Sequence, residues 1–277
     1  MKIDNRCIRS TQPMPEGPEC HALTRKLNRR LTGQYIESVQ ILEGRYLKAT
    51  PPGLHALESE LDRGPLLVRS VQCKGKLISM DLDKLIILST LGLSGSWTWH
   101  KGAHCGIALR MQSGQTLWFK DQLHYGTFSV TDRKGYMRKL KQIGPDMVIG
   151  QESVDSQQFT KLIRGHPTKT VAELLMSQRL LSGVGNYLKA EILFEARIAP
   201  TSQLDDLPLK VIERLRMTIL GTCQAWLQSK LGTGPRRRLK VYGRRFDPNG
   251  NKVERSKTQD KRITHWVPQV QIEYTAY

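Results

Sequence analysis

The sequence predicts an α+β protein in three parts: an N-terminal β-sandwich, a helical middle and a short, basic C-terminal β-hairpin. Three observations support this prediction. Between residues 35 and 130, short aliphatic and β-branched runs alternate with glycine-containing turns, which is typical of a sandwich. From residue 146 onward, apolar residues recur at helical spacing. From residue 236 onward, the chain is basic and rich in turn residues.

One helix precedes the strands. Leu23, Leu27 and Leu31 fall on one face of residues 19–32, and basic residues occupy the opposite face. Gly33 follows as a C-cap. The spacing therefore predicts an amphipathic helix that lays its leucines on a core.

The β-rich part is predicted to form seven strands and one short helix. Gly, Asp-Lys and Ser-Gly-Gln turns separate the strands. The helix is expected over Leu54–Leu61. The predicted strands are Tyr35–Leu42, Leu66–Val71, Leu77–Leu82, Leu85–Ser89, Ile107–Met111, Thr116–Phe119 and Thr127–Val130.

The middle of the chain is predicted to form three helices. Val171–Leu181 carries apolar residues at helical spacing, and Asn186–Ala196 begins directly after a glycine-containing turn. Leu209–Lys230 is the longest of the three. The glycines and proline of residues 232–235 then indicate a linker.

The charge favours a polyanionic partner. The chain has 43 Lys+Arg against 25 Asp+Glu, which is a net charge of +18. Half of that charge lies in Lys230–Arg262, which contains twelve basic and three acidic residues. Such a balance is typical of proteins that bind nucleic acid or an acidic membrane surface. A basic run is also typical of a solvated tail, but Tyr242, Phe246 and Trp266 within this one favour a folded hairpin.

Membrane insertion and secretion are not indicated. The longest apolar run, Leu85–Leu93, has nine residues, about half of what a membrane-spanning helix needs. Residues 1–13 lack the apolar centre of a signal peptide. The five cysteines are dispersed, which suits free thiols in a reducing compartment. We therefore expect an intracellular protein without a membrane partner.

The segment Met14-Pro15-Glu16-Gly17-Pro18-Glu19 offers unusual chemistry. If the functional chain begins at Pro15, its nitrogen is a free secondary amine beside the carboxylate of Glu16. Such an amine can attack a sugar C1′ or a carbonyl and form an iminium, while the carboxylate transfers protons. If the preceding residues stay attached, the nitrogen is a tertiary amide without nucleophilicity. Taken alone, a string of Pro, Glu and Gly is more often simply a turn.

A second feature is the turn before Asn186, in which Gly183 and Gly185 allow tight bending. The helix N-terminus that follows presents unpaired amides and a positive dipole end, and an Asn side chain there can donate to a phosphate oxygen. The same pattern fits a plain αα-hairpin in which the Asn caps the helix. On this turn alone both interpretations stay open.

The C-terminal part predicts β-structure without metal. Lys240–Val253 is expected to form a strand, a turn and a return strand, and Arg262–Trp266 a second β segment. An Arg at the tip of such a hairpin can fork to phosphate oxygens. No cysteine follows Cys223, and His265 alone cannot form a zinc site.

Taken in order, these segments resemble the formamidopyrimidine-DNA glycosylase/endonuclease VIII (Fpg/Nei) family of base-excision repair enzymes. The resemblance covers Met14 to about Gln271. Its most specific element is the opening Met-Pro-Glu-Gly-Pro-Glu. The other matching segments are Cys73–Lys76, Leu91–Gly95, Ile143–Asp146, Gly183–Asn186 with Glu191, Val241–Arg244 and Arg262–Trp266.

The resemblance implies a bifunctional DNA glycosylase and AP lyase that removes oxidised bases from damaged double- or single-stranded DNA. Pro15 would then be the nucleophile at C1′ of the damaged nucleotide, and Glu16 would give and take protons at the sugar. Lys76 would support catalysis through a phosphate and sugar contact. Cleavage of the strand would follow by β- or β,δ-elimination.

The resemblance also implies a set of DNA contacts. Arg262, which belongs with the catalytic residues, and Asn186 would clamp the phosphates that flank the lesion. Lys240 and Tyr242, at the start of the finger, would contact DNA. Glu19 would support the active-site network.

One departure from the family concerns zinc. The family usually holds its finger with four cysteines, and the matching positions here are Asn249, Lys252, Val267 and Val270. The chain therefore resembles the zincless branch of the family, and we expect no zinc and no other cofactor. The finger would instead be stabilised by apolar packing of Val253, Trp266, Val267 and Val270.

A second departure concerns the residues that fill the space left by a flipped base. Fpg-type members use Met, Arg and Phe, and the matching positions here are expected at Leu93, His124 and Tyr125. We call these three residues the wedge; it would keep apolar and aromatic members but lack the intercalating Arg. We therefore expect oxidised pyrimidines and further-oxidised guanines to be preferred over 8-oxoguanine.

The predicted organisation is an extension at 1–13 outside the active protein, a sandwich at 14–145, a helix–two-turn–helix domain at 146–235 and a finger at 236–277. We expect Met14 to be the true start and the protein to be a monomer. One alternative is a catalytically silent damaged-DNA-binding protein in which a retained extension blocks Pro15. Another is a nucleic-acid scaffold, although a scaffold needs neither Pro15 and Glu16 nor Lys76.

Overall fold

The computed structural model describes residues 14–150 and 154–275. The predicted extension at 1–13 lies outside the described residues. Two β-sheets, a group of helices and a small C-terminal hairpin follow each other along the chain in the predicted order. The predicted α+β class is therefore confirmed.

Helix α1, Gly17–Leu31, begins where Glu16 adopts an extended backbone. The Glu16 carboxylate accepts from the backbone N–H of Glu19, and the Glu19 carboxylate accepts from the backbone N–H of Glu16 at 3.0 Å. This reciprocal capping box satisfies two helix-end donors. Leu27 and Leu31 are buried in the sandwich core, as their spacing predicts.

The sandwich consists of two antiparallel sheets that enclose one apolar core together with α1. Its strands are β1 Tyr35–Ile41, β2 Leu66–Leu67, β3 Ser70–Lys74, β4 Leu77–Asp81, β5 Leu85–Thr90, β6 Ser96–Thr98, β7 Cys105–Met111, β8 Thr116–Lys120 and β9 Thr127–Asp132. The first sheet has the order β2-β1-β7-β8-β6, and the second has the order β3-β4-β5-β9.

The predicted strands are present with two differences. The predicted strand Leu66–Val71 is divided, because β2 pairs with β1 whereas β3 pairs with β4 in the other sheet. Val68, between them, is fully buried where the chain crosses from one sheet to the other. The sequence does not predict β6, whose three residues are too few to show an alternating pattern.

Three short helices flank the sandwich and the helical region. Helix α2, Leu54–Leu61, has the predicted bounds. The sequence does not predict α3, Arg133–Lys141, or α4, Ser156–Arg164, which are short and mostly polar. Both carry an N-cap that could be recognised: Asp132 accepts from a backbone N–H at 2.6 Å and Asp155 from another at 2.7 Å.

The helical region is built from α4 and three further helices, α5 Val171–Met176, α6 Asn186–Ala196 and α7 Leu209–Leu231. They enclose a large apolar core, and α6 is buried along almost its whole length. Helix α5 ends five residues before the predicted Leu181. That leucine is fully buried in the following turn, so it continues the apolar pattern without continuing the helix. No helix within the described ranges is both long and apolar enough to cross a membrane.

The sandwich and the helical region meet at the start of α1. The backbone N–H of Gly17 donates to the carbonyl of Gly183 at 2.8 Å. A Cβ at Gly17 would lie 2.4 Å from Val148 and 2.7 Å from that carbonyl oxygen, so no larger residue fits. Helix α1 also packs against α7, and the two regions therefore share a close interface.

The C-terminal finger contains the predicted β structure in a reduced form. Strand β10, Glu254–Lys257, pairs with β11, Ile263–Trp266, so the predicted second β segment is present. Within Lys240–Val253 the predicted hairpin is reduced to one antiparallel bridge, Phe246 with Lys252, beside which the Val253 N–H donates to the Arg245 carbonyl at 2.9 Å. The turn is held by Asp247, whose carboxylate accepts from two backbone N–H groups at 2.8 Å each. A side chain that satisfies local backbone donors competes with strand pairing.

Apolar packing joins the finger to α6. Val241, Val253 and Val267 are buried together with Ala190 and Phe194 of α6, and Val270 packs beside them. Three of the four side chains expected to stabilise the finger are therefore in one cluster. Trp266 lies outside it, and its indole N–H donates to the Ser256 hydroxyl at 3.0 Å.

A buried ion pair also holds the finger on α6. Lys189 Nζ lies 2.6 Å from Asp260 Oδ2, and the two side chains are 0% and 4% exposed. Burial lowers the pKa of Lys189, which the hydrogen bond and charge of Asp260 oppose. Asp260 belongs to the β10–β11 turn and also accepts from the Thr258 hydroxyl. The pair therefore fixes the hairpin tip against the helical region.

Replacing Lys189 by Met should leave Asp260 buried without a counter-charge. We expect the free energy of unfolding in urea to fall by about 3–5 kcal/mol. The double variant Lys189→Met/Asp260→Asn should regain part of this loss, because no unpaired charge remains. A single variant as stable as the wild type would contradict the structural role of the pair.

Candidate active site

A cavity of about 520 Å³ opens between the sandwich, the helical region and the finger. Pro15 and Glu16 line it from the start of α1, and Lys76 lines it from the β3–β4 turn. Asn186 contributes from the start of α6, and Arg262 from the hairpin tip. Five of the residues singled out in the sequence therefore meet at one cavity, although they are far apart along the chain.

The Glu16 carboxylate sits on the N-terminus of α6. It accepts from the backbone N–H of Gly185 at 2.8 Å, of Tyr187 at 2.8 Å and of Leu188 at 3.2 Å. These N–H groups have no partner within the helix, and the helix dipole favours negative charge there. This helix end, which the sequence offered either as a phosphate seat or as a plain capped helix start, therefore binds a carboxylate of the protein itself.

Gly185 allows the Glu16 carboxylate to come close to the N-terminus of α6. A Cβ at this position would lie 2.4 Å from Glu16 Oε1 and 2.6 Å from Lys76 Nζ. Only glycine leaves room for a carboxylate and an ammonium group at the same point. The glycine of the turn is therefore needed for the close contact of α6 with the two charged side chains.

The pKa of Glu16 is raised to about 7. Burial is the main cause, since the side chain is cut off from water. The positive charge of Lys76 and the hydrogen bonds from the α6 backbone act in the opposite direction. A carboxyl group with this pKa exists in both protonation states near neutral pH, which suits a group that both gives and takes protons.

Glu19 connects three helices behind Glu16. Its carboxylate accepts from the Tyr187 hydroxyl at 3.0 Å and lies 3.0 Å from Lys230 Nζ on α7. Because it also accepts from the Glu16 backbone N–H, it orients the residue that carries the buried carboxyl. Burial raises the pKa of Tyr187, which keeps its hydroxyl protonated as a donor.

Asp146, which the sequence marks only as a domain junction, positions the turn that carries Lys76. Its carboxylate accepts from the backbone N–H of Gly75 at 2.6 Å and of Val148 at 2.9 Å. The same carboxylate lies 2.8 Å from His21 Nε2 on α1. One buried side chain therefore ties the Lys76 turn to α1 and to the beginning of the helical region.

Asn186 and Arg262 face each other across the α6–finger contact. One N–H of the Asn186 side chain donates to the carbonyl of Ile263 at 3.1 Å, while its Oδ1 is buried and has no hydrogen-bond partner in the described part of the chain. Arg262 is exposed, and its guanidinium has no carboxylate partner among the residues that the structure describes. The arginine is therefore free to bind an anion, whereas the asparagine also anchors the hairpin.

Two of the three expected wedge residues line the cavity: Leu93 and Tyr125, of which Tyr125 is 62% exposed. His124 does not line it: the residue has a φ of +56°, and its ring lies against Gly44. The neighbouring Leu123 does not line it either, although both Leu123 and His124 are exposed. The third member of the wedge therefore stays a prediction.

Asp121 holds the two wedge-carrying loops together. Its carboxylate accepts from the Ser94 hydroxyl at 2.7 Å and from the backbone N–H of Gly126 at 2.6 Å. The Ser94 oxygen in turn accepts from the backbone N–H of Leu123 at 3.0 Å. The turn with Leu93 and the loop with Tyr125 are therefore joined by side-chain hydrogen bonds.

Lys240 and Tyr242 do not reach the cavity. Lys240 Nζ lies 2.5 Å from Glu195 Oε1, and the Tyr242 ring packs between Tyr187 and His265. Their backbone N–H groups donate to the Glu191 carboxylate at 2.8 and 2.9 Å. Both residues therefore join the finger to α6, and the DNA contact expected for them stays a prediction.

The positions that match the family's zinc ligands do not fit a metal. Asn249, Lys252, Val267 and Val270 offer no thiolate or imidazole, and Val267 is fully buried in apolar surroundings. Within the described ranges no group of three or more His, Cys, Asp or Glu side chains is placed to hold a metal ion.

The two halves of this arrangement match known families. Residues 14–128 match the model of the formamidopyrimidine-DNA glycosylase N-terminal domain, and residues 143–234 match the model of the formamidopyrimidine-DNA glycosylase H2TH domain. The fold and site thus define a protein of the glycosylase class in which a β-sandwich and a helix–two-turn–helix region share one cavity.

Individual relatives are also formamidopyrimidine-DNA glycosylases. The chain is 28% identical to a formamidopyrimidine-DNA glycosylase of Listeria monocytogenes, over 93% of this chain and 100% of that protein. It is 26% identical to one of Bacillus cereus, over 85% and 90%. The solved structure of Lactococcus lactis Fpg with abasic-site DNA has a TM-score of 0.81 at 23% identity, covering 94% of this chain and 100% of that one. The chain therefore belongs to the formamidopyrimidine-DNA glycosylase family.

The raised pKa of Glu16 predicts a pH-dependent stability. Its pKa in the folded state, about 7, lies above the ordinary 4.5, so the folded state binds the proton more tightly. The stability from this group is complete below pH 4.5 and is lost as the pH rises through 7. Over this range the free energy of unfolding should fall by about 3 kcal/mol more in the wild type than in Glu16→Gln.

Urea unfolding at several pH values would measure this difference, and other titrating groups cancel because both proteins share them. Parallel curves for the wild type and Glu16→Gln would contradict a raised pKa.

Proposed function

We propose that the protein is a bifunctional DNA glycosylase and AP lyase that removes oxidised bases through the amine of Pro15. The observation that carries the proposal is the position of Pro15 beside a carboxyl group with a pKa of about 7, in a cavity also lined by Lys76 and Arg262. A nucleophile next to a proton-transfer group is the arrangement that covalent catalysis requires.

The first step uses a neutral secondary amine, which exists in part near neutral pH because an α-amine titrates near ~8. The lone pair of the Pro15 nitrogen attacks C1′, and the bond from C1′ to the base breaks with its electrons leaving on the base, which takes up the proton that the Pro15 nitrogen loses. Protonated Glu16 gives its proton to the sugar ring oxygen, which opens the ring and leaves an iminium between Pro15 and C1′.

The second step cleaves the strand. The iminium draws electrons from C2′, and Glu16, now a carboxylate, takes the C2′ proton. The 3′ phosphate leaves with its bonding electrons in a β-elimination, and water then hydrolyses the iminium and frees Pro15. Lys76, close to the same carboxyl group, provides a positive charge for the sugar and phosphate.

This chemistry requires that the active chain begin at Pro15. With Met14 attached, the Pro15 nitrogen is an amide and carries no free lone pair for attack. We therefore propose that residues 1–14 are absent from the active form. A chain that keeps them would bind damaged DNA without cleaving it.

Damaged DNA is the proposed substrate. The net charge of +18 and the unpaired guanidinium of Arg262 at the cavity favour a phosphate backbone. The cavity has room for a base taken out of the stack, as base-excising enzymes require. Lactococcus lactis Fpg, which shares the fold, has been solved with DNA that contains an abasic site and with DNA that contains an oxidised pyrimidine.

The wedge supports a preference among lesions. Leu93, Tyr125 and Leu123, the proposed third member, are apolar or aromatic, and none offers a cation to the base opposite the lesion. Readout of that base by a charged side chain is therefore absent from the wedge. We propose that oxidised pyrimidines and further-oxidised guanines are processed in preference to 8-oxoguanine.

Borohydride trapping on a duplex with one abasic site tests the nucleophile. The chain beginning at Pro15 should form a covalent adduct, because borohydride reduces the iminium to a stable amine. The chain beginning at Met1 should form none, and Glu16→Gln in the Pro15 chain should form it more slowly. Absence of adduct from the Pro15 chain would refute the proposal, and an equal adduct from the Met1 chain would assign the reaction to a lysine.

Two alanine variants test the wedge with Leu123 as its proposed third member. Leu123→Ala and Tyr125→Ala should each slow base removal from a duplex by on the order of tenfold, because flipping a base costs a few kcal/mol that the wedge offsets. His124→Ala, which removes a ring that lies against Gly44, is the matched control and should stay near wild type. A larger loss in His124→Ala than in Leu123→Ala would support the sequence-based assignment.

A further inference from the structure

A second groove, of about 900 Å³, lies on the finger. We call it the finger groove; it is lined by Arg244, Arg245, Phe246, Lys252, Arg255 and His265, among others. None of its lining residues also lines the active-site cavity. The chemistry proposed for Pro15 makes no use of it.

The finger groove carries uncompensated positive charge. Within the described residues, no carboxylate pairs with the side chains of Arg245, Lys252 or Arg255. Arg244 donates from Nε to a backbone carbonyl at 3.2 Å and so keeps its charge as well. Asp247 directs its carboxylate to its own turn, and Glu254 forms no ion pair with these cations among the described residues. Four cations in one groove therefore favour a ligand with several negative charges.

An aromatic side chain accompanies the cations. Phe246 is 60% exposed, which leaves most of a large apolar ring in water. An exposed ring among cations is the arrangement that binds unpaired nucleotides, since bases stack on the ring while cations follow the phosphates. Duplex DNA offers no free base face to such a ring. The ring therefore favours a single strand over a duplex.

His265 adds an unpartnered polar group. The residue is 7% exposed, lines the finger groove, and has a buried Nδ1 without a hydrogen-bond partner among the residues that the structure describes. Such buried atoms are rare in folded proteins unless a ligand or water completes them. Burial, Arg255 and Lys189 lower its pKa, so the imidazole is neutral and one ring nitrogen can accept a hydrogen bond.

We propose that the finger groove is a second nucleic-acid site, which binds an unpaired segment of single-stranded DNA through its phosphates and one stacked base. Arg262 lies at the hairpin tip, and His265 of β11 follows three residues later, which corresponds to about 10 Å of strand. A strand held at Arg262 therefore reaches the finger groove within a few nucleotides.

Fluorescence anisotropy with a short oligothymidylate tests the proposal at several salt concentrations. Arg245→Ala/Lys252→Ala should weaken binding and reduce the slope of log affinity against log salt by about 1.4, since each phosphate contact to a single strand contributes about 0.7. Phe246→Ala should weaken binding by about 5- to 100-fold with an unchanged slope, because stacking releases no counterions. Lys161→Ala, an exposed cation on α4, is the matched control and should leave the affinity and slope near wild type.

The result that would overturn the proposal is wild-type affinity and slope in both groove variants, with thermal melts showing that each is folded. Borohydride trapping of the same variants separates this proposal from that of the active site. Groove variants that lose single-strand binding and still form the adduct place the two functions at different sites. If the wild type forms no adduct and its groove variants lose single-strand binding, only the proposed catalysis is refuted.

Discussion

The structure depends on one contact: the carboxylate of Glu16 on the N-terminus of α6. Three backbone N–H groups donate to it, and it is 1% exposed. This contact joins the first turn of the sandwich helix to the helical region, and it places Pro15 at the cavity between them. The same burial that makes the contact structural raises the pKa of the carboxyl group to about 7 and thereby suits it to proton transfer.

Helix α6 extends this arrangement to the rest of the protein. Its first turn binds Glu16, Lys189 in the next turn pairs with the hairpin tip that carries Arg262, and Glu191 accepts from the backbone at the start of the finger. Burial raises the pKa of Glu191, which these hydrogen bonds oppose. One buried helix therefore sets the distances among the proline, the arginine and the finger.

Much of this could be predicted from the sequence, because the apolar spacing of α1, α6 and α7 and the motif around Pro15 are local patterns. The positioning residues could not, since the roles of Asp146, Asp121 and Lys189 depend on partners distant along the chain. The predicted hairpin before Val253 is reduced to one bridge for a related reason: the turn around Asp247 satisfies its own backbone donors. His124 and Leu123 are adjacent and both exposed, and the sequence does not reveal the positive φ of His124 or the position of its ring against Gly44.

The pKa of Glu16 can be measured directly by NMR on protein with ¹³C-labelled glutamate carboxyl groups, with Glu16→Gln to assign the signal. A buried carboxyl group that both joins the domains and carries the proton should titrate near pH 7. A Glu16 signal that titrates near the ordinary 4.5 would mean that the contact with α6 leaves the group an ordinary anion, and it would contradict the link between the interdomain contact and proton transfer.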